Sequence, residues 1–461
     1  MMGVAIRERW SRRAGYRELL KLAFPLILST GSVSILLFVD RMFLGWYSTE
    51  SLAASVPAGV LNFALMACFF GTAIFTGTLV AQYHGAGRHE RIGGAIGQGL
   101  YVALIGGSLM PMLAPFSSDI FAFIGHDPLV QIEESSYFRI LNLGVFFALS
   151  NAVFAGFYSG RGKTWTVMRI NVLMTLINIV LDYVLIFGAW GIPSYGIKGA
   201  AVATVVSHVS ITILYLFLVT KREHDRSFRT RSLWRFDRPL FLRLLKFGLP
   251  SGIHFFLDVM GFTIFVLFVG RMGTLELTAS NIVLQLNLIG FLPMVGMGIS
   301  VSILVGQYQG GRTSHLAERT FYSAFQLTCI YNVLMISLYV LMPRLLIQPF
   351  LMGGLQDSDP ALVDLSVELM GFIAVGIFFN TLSVLSGSAL KGAGDTGYVM
   401  RVLAFSSVVV LVIPVYVVSE ILDLPVYYAW GTFTVNLLFV STVFLLRFRS
   451  GHWKAIEVIE R

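Results

Sequence analysis

Two aspartates stand where an ionised side chain is expensive. Asp40 interrupts the apolar run SILLFVDRMFLG, and Asp182 interrupts LINIVLDYVLIFG. On insertion scales a charge at a bilayer centre costs roughly 2.5–3.5 kcal/mol, so such residues usually face protein, water or an ion. Asn178 precedes Asp182 by four residues, which on a helix places both on one face. Thr204, in GAAVATVVSH, begins the next apolar run at a comparable depth. Two carboxylates, an amide oxygen and a hydroxyl form a hard-oxygen set suited to Na⁺, or a carboxylate pair that takes up protons. A plainer reading stands beside it: Asn178 and Thr204 could simply bond helix to helix, and Asp40 could pair with Arg41 or Arg139.

A third acid, Asp258, lies in LPSGIHFFLDVMGF with no basic residue close in sequence and His254 one turn away. A solitary acid in mid-run is more often functional than structural. His208 and His254 read as packing residues, and Asp364 and Glu368 as solvated groups at the start of an apolar run. Nothing resembles a metal cluster, a nucleophile triad or a phosphate loop, because GAGR and GRGK are turn-forming sequences. Cys68 and Cys329 both fall in apolar runs and read as small hydrophobes. The expectation is a protein that is not an enzyme and carries no cofactor.

The elements that position these residues must live in lipid. Of 461 residues, 56% are hydrophobic and 13% charged, with a mean hydropathy of +0.77. At about 20 apolar residues per crossing, twelve spans are expected, near 19–44, 52–82, 92–115, 131–158, 166–188, 199–220, 242–269, 277–308, 317–342, 361–390, 397–419 and 425–447. No cleavable signal peptide is expected: the basic start runs into an apolar stretch too long for one, without a small-residue cleavage site. Basic residues cluster on one side of this topology: Arg7 to Lys21, Arg88 and Arg91, Arg161 to Arg169, the stretch 221–246, Arg312 and Arg319, Lys391 and Arg401, and Arg447 onward. The other side has few bases and several acids, among them Glu50, Asp119, Asp127, Asp357, Asp359, Glu420 and Asp423. By the positive-inside rule both termini are cytoplasmic. The net charge of +8 is mostly this topological signal, and no nucleic-acid partner is expected.

The chain also repeats itself. LLKLAFP (19–25) recurs as LLKFGLP (244–250), LFVDRM (37–42) as LFVGRM (267–272), LVAQYHGAGR (79–88) as LVGQYQGGR (304–312), and GRGKTWTVMR (160–169) as GAGDTGYVMR (392–401). Four matches in one order define two six-span lobes, 1–220 and 244–461, joined by a basic linker at 221–243. Because six is even, both halves enter the membrane the same way. They should be related by a pseudo-two-fold axis along the membrane normal, with a cavity between them.

The motifs FVDRMFLG, AQYHGAGR, NIVLDYVLIFG, GIKGAAVATVVSH and LKGAGDTGYVMR, in this order along nearly the whole chain, resemble the multidrug and toxic compound extrusion family. The resemblance implies an all-α membrane protein of twelve helices in two six-helix bundles around a V-shaped central cavity. It implies a secondary antiporter of the inner membrane that exports cationic or amphipathic small molecules in exchange for inward Na⁺ or H⁺, with lipids and substrate as partners and a monomer as the expected state. Where family members bind a cation in the first lobe, a span-1 Asp, a span-5 Asn and Asp, and a span-6 Thr do so. Asp40, Asn178, Asp182 and Thr204 match them. Another branch emphasises an acid in span 7 and one in span 10. Asp258 sits at the first position, but Asn380 stands at the second, which favours the first lobe for coupling and leaves Asp258 and Asn380 for substrate. The alternatives are a lipid-linked oligosaccharide flippase, disfavoured because Arg139 is the only clear base inside a span, and a membrane scaffold or sensor that transports nothing.

Overall fold

In lipid a backbone has no water to bond, so a long apolar run closes its own hydrogen bonds as a helix. The computed structural model describes residues 10–351 and 360–460; Arg7, Arg9, Asp357 and Asp359 lie outside the described residues, as does Arg461. Among the described residues, twelve helices are long and apolar enough to cross a membrane: α1 (Tyr16–Tyr47), α2 (Thr49–Gly85), α3 (His89–Ile124), α4 (Pro128–Gly160), α5 (Thr164–Phe187), α6 (Ile197–Val219), α7 (Arg238–Met272), α8 (Thr274–Gly310), α9 (Ser314–Leu341), α10 (Pro360–Ala393), α11 (Thr396–Ile421) and α12 (Val426–Arg449). No strand occurs among the described residues. All twelve expected spans are present, most within a few residues of their expected ends. The largest departure is α3, which runs on past residue 115. Pro111 and Pro115 each remove a backbone donor, so Met110–Phe116 tightens into 3₁₀ turns before Ser117–Ile124 resumes as α-helix. Gly125, at φ 84°, ends it in the left-handed region that glycine adopts without steric cost.

By contact the chain forms two units. Unit 1 holds the chain up to Ile27, then Leu257–Gln309 and Thr313–Glu457; unit 2 holds Leu28–Phe256, Gly310–Arg312 and the chain from Val458. The division therefore passes through the middle of α1 and of α7, a few residues beyond Pro25 and Pro250. Each proline deletes one helical hydrogen bond at its own position.

Inside the units the sequence repeat becomes a packing repeat. In unit 2, Gly160 at the end of α4 lies against α2 so closely that a Cβ there would sit 2.6 Å from the Gly77 carbonyl oxygen. In unit 1, a Cβ on Gly392 of α10 would sit 2.4 Å from the Ser302 carbonyl oxygen of α8. These are equivalent positions in the two repeats, and in both only a hydrogen fits. Apolar packing in lipid gains little from the hydrophobic effect, so close approach of small residues carries helix association. Unit 1 holds an apolar core that includes Val301, Phe321, Leu385 and Phe448, and another that includes Phe265, Leu369 and Trp430. In unit 2, Phe43, Phe121, Phe138 and Ile186 share a core. The exteriors stay apolar: Ile330, Val333 and Leu334 of α9 are 71%, 66% and 58% exposed, as a lipid-facing surface requires. The linker is not a bare loop. Its helix Arg222–Phe228 and turn Thr230–Trp234 lie on α3, where a Cβ at Gly97 would be 2.1 Å from the Leu233 carbonyl oxygen.

Candidate functional site

Helix α5 is amphipathic in the membrane sense, with its polar face turned inward. Asn171, Thr175, Asn178 and Asp182 recur every three or four residues and so form one stripe. Leu173, Leu176, Val180 and Tyr183 occupy the opposite, exposed face. The stripe turns toward α1. Asn171 Nδ2 donates to Ser29 Oγ at 2.6 Å, and Thr175 Oγ1 donates to the Ser32 carbonyl oxygen at 3.1 Å. These pairs lie 142 and 143 residues apart, so α1 and α5 run parallel in constant register. The same step carried outward sets Asp182 level with Asp40.

The two carboxylates lie within each other's electrostatic field. Asp40 is 5% exposed, and both Asp182 and Asn178 are 0% exposed. Tyr137 of α4 donates its hydroxyl to Asp40 Oδ2 at a long 3.5 Å. Beyond that contact the polar atoms are unmet: Asp40 Oδ1, both oxygens of Asp182 and both amide atoms of Asn178 are buried without a hydrogen-bond partner. Most buried polar atoms in proteins are paired, so five on three adjacent side chains mark a place built for something else. Thr204 is half-buried on α6. Its level follows from Gly199, which packs on Leu185. Because α6 runs antiparallel to α5, five residues forward from Gly199 correspond to five back from Leu185, between Asn178 and Asp182. The structure thus brings Asp40, Asn178 and Asp182 together in unit 2 and sets Thr204 at about their level on α6.

Neither base proposed as a partner for Asp40 pairs with it. Arg139 donates to Ser117 Oγ at 2.5 Å and Ser118 Oγ at 2.7 Å, at the end of α3. Arg41 is exposed and reaches Asp40 only through its field. Tyr137 was not foreseen, because a tyrosine in an apolar run carries no distinguishing pattern. His208 is a satisfied packing residue: Asn151 Nδ2 lies 3.2 Å from its Nδ1 and donates to its carbonyl oxygen at 3.1 Å.

In unit 1, Asp258 is exposed on α7 and is not electrostatically solitary. Lys391, by sequence one of the loop bases, belongs to the last turn of α10, and the two side chains interact through their opposite charges. Arg139 is therefore not the only base within a helix of membrane length. Asn380 is half-buried on α10, three turns before Lys391 and on the same face. Asp364 meets Arg344 Nη2 at 3.2 Å, and Glu368 accepts from the Tyr427 hydroxyl. Among the described residues no group of three His, Cys, Asp or Glu could hold a metal, and both cysteines are free.

Twelve membrane-length helices, two internally repeated halves and a buried carboxylate pair define a multi-pass protein with ionisable groups placed inside its bundles. The family model described as MatE matches residues 25–184 and 250–417, and the chain belongs to that family. Over 96% of this chain and 94% of the relative's, it is 26% identical to "Probable multidrug resistance protein NorM" of Thermotoga maritima. It is 27% identical to "Multidrug resistance protein PmpM" of Pseudomonas aeruginosa, over 86% of this chain and 82% of the relative's. A solved structure described as the outward-facing conformation of a multidrug resistance MATE family transporter of the MOP superfamily superposes with a TM-score of 0.85 at 20% identity, covering 95% of this chain and 96% of that one. At that identity the likeness concerns the fold.

Proposed function

We propose that the protein is a secondary antiporter of the inner membrane, with both termini cytoplasmic, that exports cationic or amphipathic compounds in exchange for inward Na⁺ or H⁺. The reading is supported by the family, by the names of its relatives and by the basic loops. The observation that carries it is the cluster of buried, unpartnered oxygens on Asp40, Asn178 and Asp182. In an apolar shell two adjacent carboxylates repel strongly. A proton or a Na⁺ ion relieves that repulsion, and two interacting acids titrate as a pair. Asn178 Oδ1 and Thr204 Oγ1 add neutral oxygens of the kind a hard cation takes.

Coupling then requires only that ion and substrate stabilise different conformations, because a ligand shifts an equilibrium by its differential affinity and no more. Asp258, with Asn380 on the neighbouring helix, supplies the substrate-facing polarity, and Lys391 tempers the attraction of Asp258 for cations. The test is ethidium efflux from proteoliposomes under a Na⁺ gradient and, separately, a pH gradient. Gradient-driven efflux under at least one supports the reading; none under either, from correctly inserted protein, ends it.

A further inference from the structure

The repeat that aligns α1 with α7 is broken at one charged position. Glu18 in the first turn of α1 falls opposite Arg243 in α7, one residue before LLKLAFP and LLKFGLP respectively. In unit 1, Glu18 receives the hydroxyl of Tyr308, from the GQY of the second repeat, at 2.8 and 2.9 Å to its two oxygens. In unit 2, the equivalent Tyr83, from AQY, is fully buried and faces an arginine instead. The carboxylate arrives from elsewhere. Glu460 Oε2 accepts from the Tyr83 hydroxyl at 3.1 Å and lies 3.5 Å from Arg243 Nε, while Oε1 lies 3.1 Å from Arg91 Nε. The Glu460 carbonyl oxygen accepts from Arg88, and Arg243 Nη1 donates to the Val458 carbonyl oxygen at 3.1 Å.

We propose that Tyr83, Arg88, Arg91 and Arg243 form a carboxylate-binding site whose ligand is Glu460 of the same chain, standing in for the acid that the second repeat lacks. Three guanidinium groups meet there, with Asp237 Oδ2 3.4 Å from Arg91 Nη1 as a further counter-charge. Removing Glu460 would leave a net excess of positive charge around a buried phenol. Such charge-assisted bonds are among the stronger polar contacts proteins make. The approach to the site is built as well. Trp453 is fully buried and stacks on Phe448, and Gln309 Nε2 donates to the Lys454 carbonyl oxygen at 2.9 Å. The chain leaves unit 1 at Glu457, and Val458, fully buried, opens its last stretch in unit 2.

Hydrogen–deuterium exchange on the purified full chain tests this without any flux measurement, so its outcome is independent of the antiport reading. Glu460→Ala should speed exchange of residues 457–460 about tenfold or more, and loosen the turn after Tyr83 as well. Arg243→Glu is the sharper variant. It puts an acid where α1 has Glu18, so the 457–460 segment should be released just as fast while the turn at 84–88 keeps its protection within about twofold. Wild-type 457–460 exchanging like unstructured chain, or Glu460→Ala leaving that segment unchanged, would refute the site. If Arg243→Glu loosens 84–88 as much as Glu460→Ala does, the equivalence with Glu18 is wrong.

Discussion

A buried carboxylate with both oxygens unmet can be relieved by a proton, a cation or the loss of its own charge. Asp182→Asn supplies the last of these permanently, as does Asp40→Asn. Each should cut gradient-driven efflux at least about tenfold while the protein inserts and folds, since removing an uncompensated buried charge does not harm packing. Wild-type efflux from both variants under both gradients would clear the pair of any coupling role. Thr204→Val separates the two ions. It deletes a neutral oxygen and leaves both acids, so calorimetric Na⁺ affinity should fall several-fold while pH-driven efflux persists. In the wild type, Na⁺ affinity should also weaken as pH falls, because protons and Na⁺ compete for the same oxygens, with Tyr137 and Arg41 the other titratable groups acting on Asp40. In unit 1, Asp258→Asn should reduce export of cationic substrates more than neutral ones, and equal losses would assign Asp258 a structural or coupling role instead. Asp40, Asn178, Asp182 and Thr204 were legible in the sequence because polar oxygen stands out against Ile, Leu and Val. Lys391 was not legible as a partner of Asp258: a lysine near the end of an apolar run looks the same whether it marks topology or neutralises an acid 133 residues away. Tyr137 was hidden for a related reason, since its ring suits lipid and only its hydroxyl matters.

At the scale of helices, the spans and the repeat were readable because hydropathy is a long-range average. The interior contacts were not, because one glycine looks like another among 45. Only the structure separates Gly160, which meets a backbone carbonyl, from Gly397, which has open space around it. Gly160→Leu and Gly392→Leu should each destabilise the protein by about 1–3 kcal/mol or more through forced separation of packed helices. Gly397→Leu should be close to neutral. Thermal unfolding of the three purified variants decides it, and similar midpoints for all three would show that the close approaches carry no weight. The polar stripe of α5 was half visible. Asn178 and Asp182 stand out as polar groups in the sequence, whereas Asn171 and Thr175 set the register that places them, through bonds whose partners on α1 are ordinary serines.

For the whole molecule, charge placement makes the simplest forecast. Single cysteines in the 222–235 linker should react with a membrane-impermeant maleimide only after the cytoplasmic side is exposed, and those near Asp119 or Asp423 from outside intact cells; the reverse pattern would invert the topology. The division of α1 and α7 between units reaches further, into how the protein is made. Residues 16–27 leave the ribosome before the rest of unit 1, which begins only at Leu257. Unit 2 in turn draws on 238–256, from the second repeat, and on residues 458–460. Neither unit is the product of one continuous stretch of synthesis, so the first half-helix must wait in the membrane for over two hundred residues before its neighbours exist. Cut between Arg235 and Phe236, the two fragments should each be degraded when expressed alone and accumulate together when co-expressed, a dependence that a pair of self-sufficient lobes would not display.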